Sequence, residues 1–208
     1  MHLITFGGGY EPLTNGAGIV ALAGNAGVRR VTVLKGDVAA SPLEEAVMAS
    51  GLTWTFLGPV EFMSNMLEWA PSVRDEGVVC APFVDGGGPS VHEADIAAVA
   101  VAALTQDGHG GRTYWITGPE VITPRDKVRI IGEVLGRDVT PVERTEAELL
   151  AHYRGQGWSE ADIGWFLDIA RNPPEQARVV QPTVERVTGR PGRTFAQWVH
   201  ENAAAFRG

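Results

Sequence analysis

The stretch from residue 27 to residue 59 reads GVRRVTVLKGDVAASPLEEAVMASGLTWTFLGP, and its pattern decides the fold class. Two runs of mostly β-branched and aromatic residues, at 31–34 and 53–57, are typical of buried parallel strands. Between them, Ser41 followed directly by a proline predicts the beginning of a helix. Strand, helix and strand in this order predict parallel strands joined by right-handed crossovers.

The same alternation extends in both directions along the chain. Residues 2–6 predict a short first strand, and residues 15–26 predict a helix. The second half is mixed, with further strands predicted at 78–83, 112–117 and 139–143, and helices at 62–69, 96–104, 124–135, 146–153, 160–170 and 194–206. We therefore predict an α/β fold: a truncated, Rossmann-like parallel sheet with helices on both faces and a small, mostly helical C-terminal part. Residues 1–120 form the predicted core and residues 121–208 the substrate side, in one compact unit.

Composition excludes several classes of protein. The chain has 208 residues, of which 44% are hydrophobic and 20% charged, so it is long and apolar enough to fold around a core. Its net charge of −8 and the absence of a basic run argue against nucleic-acid and membrane partners. Cys80 is the one cysteine, which excludes an internal disulfide and favours a reducing compartment. With no signal-peptide pattern at the start, we predict a cytoplasmic protein.

The usual phosphate-binding motifs are missing. A dinucleotide-binding domain normally carries G-x-G-x-x-G between its first strand and helix, because glycines let the backbone approach the pyrophosphate. The triplet Gly7-Gly8-Gly9 is the nearest match, but Pro12 separates it from the next predicted helix. No P-loop, nucleophile elbow or zinc-protease motif is present.

A metal site is not predicted either. His92 and Asp95 lie three residues apart, but no third ligand is evident nearby. We interpret Asp95 as the cap of the helix at 96–104 and His92 as a polar loop residue.

Five segments in a fixed order together resemble one family. They are GVRRVTVL at 27–34, SGLTWTFLGP at 50–59, VHEADIA at 91–97, GRTYWITGP at 111–119 and TGRPGRTF at 188–195. This pattern resembles the NmrA-like branch of the atypical short-chain dehydrogenase/reductases, over nearly the whole chain. The resemblance implies an NAD(P)-binding oxidoreductase-like protein that acts on or senses a small molecule.

The resemblance also implies that the family's N-terminal glycine-rich portion is absent. Residues 2–6 match the family's fourth strand, so roughly 70 residues, or two to three βα units, would be missing. That portion cradles the pyrophosphate and selects NAD or NADP. We therefore expect weakened or lost dinucleotide binding; a start codon placed too late is the other explanation.

The cofactor crevice implied by the resemblance lies outside the carboxyl ends of the parallel strands. Its expected lining residues are Thr5, Phe6, Gly7, Lys35, Gly36, Gly58, Pro59, Val60 and Phe62. Lys35 either meets a phosphate or carboxylate of the ligand, or is a solvated charge at a strand end.

Two functional interpretations stay open. In one, the chain still binds NAD(P) or a related small molecule. In the other, it is a cofactor-independent protein, either regulatory or an isomerase or cyclase. The family's Tyr-x-x-x-Lys pair is not visible, so no catalytic residue is assigned. Glu61 and His92 are candidates for proton transfer, and each also has a structural explanation.

The first strand bears on oligomeric state. Without the family's earlier strands, residues 2–6 form an edge with unpaired backbone groups. We therefore predict a homodimer or a higher homo-oligomer through this strand.

Overall fold

A computed structural model describes residues 1–5 and 13–207 of the chain. Its main sheet has four parallel strands in the order β1 (His2–Ile4), β2 (Arg30–Leu34), β3 (Thr53–Pro59) and β5 (Arg112–Ile116). A separate pair of parallel strands joins β4 (Val78–Ala81) to β6 (Thr140–Glu143). The predicted α/β class is confirmed, and so is the parallel pairing of the opening residues with β2. β1 lies at one edge of the sheet, and pairing of two copies through it stays a prediction.

Nine α-helices lie within the described residues: α1 (Gly16–Asn25), α2 (Pro42–Ala49), α3 (Ala70–Glu76), α4 (Glu93–Thr105), α5 (Pro124–Leu135), α6 (Glu146–Gly155), α7 (Glu160–Arg171), α8 (Thr183–Thr188) and α9 (Phe195–Arg207). The helix expected at 62–69 is a 3₁₀ helix, Met63–Trp69, which runs directly into α3. A 3₁₀ turn at Glu175–Ala177 and α8 were not predicted from the sequence. No helix in residues 1–5 and 13–207 combines the length and apolar character needed to cross a membrane.

The first compact unit consists of the described residues in Met1–Val60, Glu93–Thr117 and Gln181–Gly192. Side chains alternate along its strands, so Val33 and Phe56 pack with Leu43 of α2 on one face. On the other face, Leu57 is fully buried, and α4 packs against β2 and β3. Helices therefore cover both faces, which explains why successive residues in the middle of β2 and β3 are buried rather than alternately buried and exposed.

The beginning of α2 follows directly from local sequence. Ser41 has extended backbone and its side chain accepts a hydrogen bond from the Glu44 amide, while a Glu44 carboxylate oxygen accepts one from the Ser41 amide at 2.8 Å. This reciprocal capping box satisfies two amides that the helix cannot pair internally.

The second compact unit consists of the described residues in Glu61–His92, Gly118–Val180 and Arg193–Gly208. Its larger core buries Phe195, Trp198 and Phe206 of α9 against α3, α5 and the 3₁₀ helix. A smaller core joins Leu149 of α6 to Leu167 of α7. The chain enters each unit more than once. Each unit is therefore held together internally by contacts between residues that are far apart in sequence.

Candidate functional site

The carboxyl ends of the four parallel strands meet at one edge of the main sheet. The Thr5 amide donates to the Leu34 carbonyl oxygen at 3.3 Å, and the Lys35 amide donates to the Leu57 carbonyl oxygen at 2.8 Å. The Val60 amide donates to a carbonyl oxygen of β5 at 3.1 Å. These bonds continue the sheet just past the last strand residues, so the backbone is fixed there.

Six of the nine expected lining residues follow or end these strands within the first unit: Thr5, Lys35, Gly36, Gly58, Pro59 and Val60. Phe62 belongs to the second unit, where it forms a parallel bridge with Val91. Phe6 and Gly7 lie outside the described residues. A cofactor role for all nine residues stays a prediction.

Lys35 is not the solvated strand-end charge that we offered as one explanation. Its side chain is only 5% exposed, and its Nζ forms an ion pair with Glu44, which is 1% exposed. The same Nζ lies 3.3 Å from the Ala39 carbonyl oxygen and 5.6 Å from the centre of the Phe56 ring. Burial of an ammonium group requires such compensation, because an isolated charge loses its hydration. The positive charge of Lys35 is therefore already matched within the protein.

Residue 58 must be glycine because a neighbouring aromatic ring leaves no room for a side chain. It lies opposite Trp115 on β5, and a Cβ atom built at residue 58 would fall 2.5 Å from Trp115 Cε3 and Cζ3. Such a distance is far below van der Waals contact, so a side chain at 58 would displace the indole ring. The indole of Trp115 occupies the space that a side chain at 58 would need.

Glu61 lies at the centre of a polar network in the second unit. Its Oε2 accepts a hydrogen bond from Ser90 Oγ at 2.5 Å and pairs with Lys127 Nζ. The Lys127 side chain is 3% exposed, whereas that of Glu61 is 46% exposed. The charge of a buried lysine is thus matched by a carboxylate that still reaches water.

Sequence reasoning missed Lys127 and Ser90. A signal for Lys127 was available, because the buried residues of α5 are Lys127, Val128, Ile131 and Gly132, which form a helical stripe. A lysine on an otherwise apolar stripe indicates a buried partner. No pattern in the sequence indicated a role for Ser90. Its backbone explains a neighbouring glycine, because a Cβ atom at residue 118 would clash with the Ser90 carbonyl oxygen, so residue 118 must be glycine.

One sequence-based interpretation is confirmed and one is corrected near the beginning of α4. His92 lies outside the helix, as expected of a polar loop residue, but it is 5% exposed and its Nε2 lies 3.1 Å from Glu201 Oε2. Asp95 is not the cap, because α4 begins at Glu93 and Asp95 lies in its first turn. Asp95 is fully buried, with Oδ1 3.5 Å from Arg190 Nη1, so its carboxylate is matched by a cation.

Metal ligation finds no support in the described part of the chain. No group of three or more His, Cys, Asp or Glu side chains comes together there closely enough to hold an ion.

The chain is similar in sequence to known reductases. A (4-alkanoyl-5-oxo-2,5-dihydrofuran-3-yl)methyl phosphate reductase from Streptomyces griseus is 44% identical over 168 residues, which cover 78% of this chain and 58% of that protein. An NAD(P)H azoreductase from Xenophilus azovorans is 34% identical over 202 residues, which cover 91% of this chain and 71% of that protein. No family model matches the chain.

Solved structures agree on the fold. The Escherichia coli quinone oxidoreductase QOR2 complexed with NADPH superposes with a TM-score of 0.78 at 22% identity, over 97% of this chain and 75% of that one. The triphenylmethane reductase of a Citrobacter species superposes with a TM-score of 0.76 at 18% identity, over 99% of this chain and 75% of that one. The architecture is thus a Rossmann-like α/β fold. Given the sequence identity to the azoreductase, the chain belongs to the NmrA-like branch of the atypical short-chain dehydrogenase/reductases.

Proposed function

We propose that this protein is an NAD(P)H-dependent reductase of a small organic molecule, and that its dinucleotide binding is weak. The observation that carries the proposal is the 34% identity to an NAD(P)H azoreductase over 202 residues, which include residues of both compact units. The 44% identical reductase from Streptomyces griseus supports the same class of reaction.

The residues at the strand ends fit one part of the cofactor better than the other. Gly36 is exposed and has no side chain, so a ligand can approach the backbone at the end of β2. Among the described residues at this edge, Lys35 is the only cation, and Glu44 already neutralises it. The edge therefore suits the uncharged nicotinamide end, whereas it offers a pyrophosphate no free positive charge.

In this proposal, Thr5, Gly36 and residues 58–60 of the first unit hold the cofactor. Lys35 holds the strand end in place through Glu44 rather than by touching a phosphate. Bound NAD(P)H would supply a hydride to the acceptor. The acceptor then needs a proton, which a side chain or water must deliver.

Glu61 with Lys127 is the proton source that we propose. The Lys127 ammonium carries protons beside Glu61 Oε2, and the Glu61 carboxylate is half-exposed, so the network connects buried charge to solvent. The Ser90 hydroxyl also holds the Glu61 carboxylate in place, because it donates a hydrogen bond to Glu61 Oε2 at 2.5 Å. His92, the other candidate, is buried against Glu201 and is less able to reach a ligand.

One observation favours a second function. The charge of Lys35 is matched internally, and this favours a protein that binds no dinucleotide at all, such as a cofactor-independent regulator or isomerase. Calorimetric titration with NADH, NADPH, NAD and NADP separates the two. A reduced cofactor that binds with a Kd near or above about 10 μM, about −7 kcal/mol, supports a weak reductase site. No heat with any of the four refutes cofactor binding and supports the second function.

A substitution locates the binding edge. Gly36→Glu places a long, charged side chain at the end of β2, where it would block the close approach of the cofactor to the exposed backbone of Gly36, so we expect NADPH binding to fall at least tenfold. Gly24→Glu is the matched control, because it adds the same charge on α1, where a new Cβ meets nothing within 4 Å. Equal affinities of the two variants would exclude this edge as the cofactor site.

Turnover tests the reaction itself. Oxidation of NADPH is followed by its near-ultraviolet absorbance with an azo dye or a quinone as acceptor. We expect Lys127→Met to reduce turnover at least tenfold while NADPH affinity is unchanged, since the proton source and not the cofactor site is altered. Parallel losses of affinity and turnover would contradict the assignment of Glu61 and Lys127.

A further inference from the structure

We propose that a cleft within the second unit binds a small molecule with an anionic oxygen group and an aliphatic body, such as an alkyl phosphate. This site is separate from the strand ends discussed above, and the proposal does not depend on the proposed function. Its charged contact is Arg144.

The cleft lies between the segment after β4, the end of β6, and helices α6 and α7. A narrow cavity of about 60 Å³ is bordered by Pro82, Phe83, Arg144, Leu149 and Leu167, among others. This volume is about that of two molecules of liquid water, at roughly 30 Å³ each. It is large enough for one compact polar group and too small for a whole ligand.

A wider, open hollow continues from this cavity. It has a volume of about 390 Å³ and shares Phe83, Glu143 and Arg171 with the narrow part. Sites for small ligands typically measure about 300–1,000 Å³. The narrow part therefore suits a head group, and the open part suits the body attached to it.

The apolar wall of the cleft is well fixed. Leu149 is 3% exposed and Leu167 is 5% exposed, and both belong to the small core between α6 and α7. Because their positions are set by packing within the unit, the wall is preformed for an aliphatic group.

Phe83 forms another part of the wall and has an unusual backbone. Its φ is +48°, and among the described residues Phe83 is the one non-glycine residue whose φ is positive. The Gly86 amide donates to the Phe83 carbonyl oxygen at 2.8 Å, so a tight turn holds this conformation. A bulky residue in this region is strained, and such strain is concentrated at functional sites.

Arg144 is the cation of the cleft that forms no ion pair within the described part of the chain. Its side chain is half-buried and makes no hydrogen bond or ion pair with any residue of 1–5 and 13–207. Other arginines of this unit are paired: Arg171 with Glu146 in the cleft wall, and Arg125 with Asp85 at 2.8 Å. A planar guanidinium that is partly removed from water matches a phosphate or carboxylate in two hydrogen bonds.

The nearby carboxylates form no ion pair with Arg144 among the described residues, although Glu148 is close: the pKa of Glu148 is lowered first by its hydrogen bonds to Thr145 and also by the charge of Arg144. Glu148 is engaged in capping α6, where its Oε2 accepts hydrogen bonds from the Thr145 amide at 2.8 Å and the Thr145 hydroxyl at 2.7 Å. Glu146 is neutralised by Arg171. Glu143 also borders the cleft, but it is exposed to water and forms no ion pair with another described residue, so it opposes an anion only weakly.

The charge pattern gives two substitutions of opposite expected effect. Arg144→Gln removes the attraction for an anion, and Glu143→Gln removes the nearby repulsion. Arg129→Gln is the matched control, because Arg129 lies on the exposed surface of α5, is already paired with Glu133 at 2.7 Å and does not border the cleft.

The test is calorimetric titration of the full chain with hexyl phosphate, hexanoate, inorganic phosphate and hexanol. We expect hexyl phosphate to bind at least tenfold more tightly than hexanol or inorganic phosphate. Arg144→Gln should weaken it at least tenfold, Glu143→Gln should tighten it, and Arg129→Gln should leave it unchanged. A preference between hexyl phosphate and hexanoate identifies the head group.

Two outcomes overturn the proposal. One is hexyl phosphate that binds no better than hexanol, or not at all. The other is Arg144→Gln that binds as the unaltered protein does. Should Arg144→Gln fail to fold by circular dichroism, Arg144→Lys takes its place, since it keeps the charge but loses the second hydrogen bond. An unchanged affinity in Arg144→Lys would then refute recognition by a bidentate guanidinium.

Discussion

Replacement of Lys35 by methionine should destabilise the first unit strongly. The substitution keeps most of the aliphatic stem and removes only the ammonium group, so Glu44 remains buried at 1% exposure without a cation. Removal of one partner from a buried ion pair costs about 3–5 kcal/mol, because the remaining charge is uncompensated. For a chain of this size, that loss corresponds to a fall in Tm of about 6–20 °C.

The measurement is urea unfolding of the native chain and of three variants, followed by circular dichroism. Lys35→Met should lower the free energy of unfolding by the amount above. Lys35→Met combined with Glu44→Gln should recover about 2–3 kcal/mol, since the uncompensated charge is gone and the amide oxygen can still accept the Ser41 hydrogen bond. Arg129→Gln breaks an exposed pair and should leave the midpoint unchanged.

The reasoning fails if Lys35→Met loses less than about 1 kcal/mol, which is the range of solvent-exposed pairs. It also fails if the double variant is less stable than the single one. Either result would mean that Lys35 and Glu44 are hydrated in solution. A free Lys35 would in turn be available to a phosphate at the end of β2.

Two further predictions concern packing and titration. Gly58→Ala should lower the free energy of unfolding, measured in urea, by about 1–3 kcal/mol, because the new methyl group overlaps the Trp115 ring. The double variant Gly58→Ala with Trp115→Leu should recover part of this lost stability. A Gly58→Ala variant as stable as the unaltered protein would contradict the contact. Burial, and then the charge of Glu68, raise the pKa of Tyr153 to about 12. The folded state therefore keeps this proton longer than the unfolded state, whose tyrosines ionise near pH 10, so stability falls as pH rises from about 10 to 12. Tyr153→Phe should flatten that fall in thermal unfolding, and an equally steep fall would show that Tyr153 ionises normally.

Local sequence signals determined most of the helices and strands of this protein. Ser41, a proline and Glu44 specify the beginning of α2 wherever it lies, because a capping box needs only residues within one turn. The apolar runs at 31–34 and 53–57 likewise specify strands covered on both faces. From parallel strands it also follows that Thr5, Gly36 and Val60 end at one edge, which the structure bears out.

The tertiary structure alone decided which charges are matched. Lys35 and Glu44 are nine residues apart, a spacing that no single element brings together, and Glu61 and Lys127 are 66 apart. Propensity and periodicity act over a few residues, whereas these partners meet only after β2, α2, β3 and α5 have packed. The same packing leaves the Arg144 side chain without an ion pair among the described residues. A residue's charge is written in the sequence, but its availability depends on neighbours that only folding supplies.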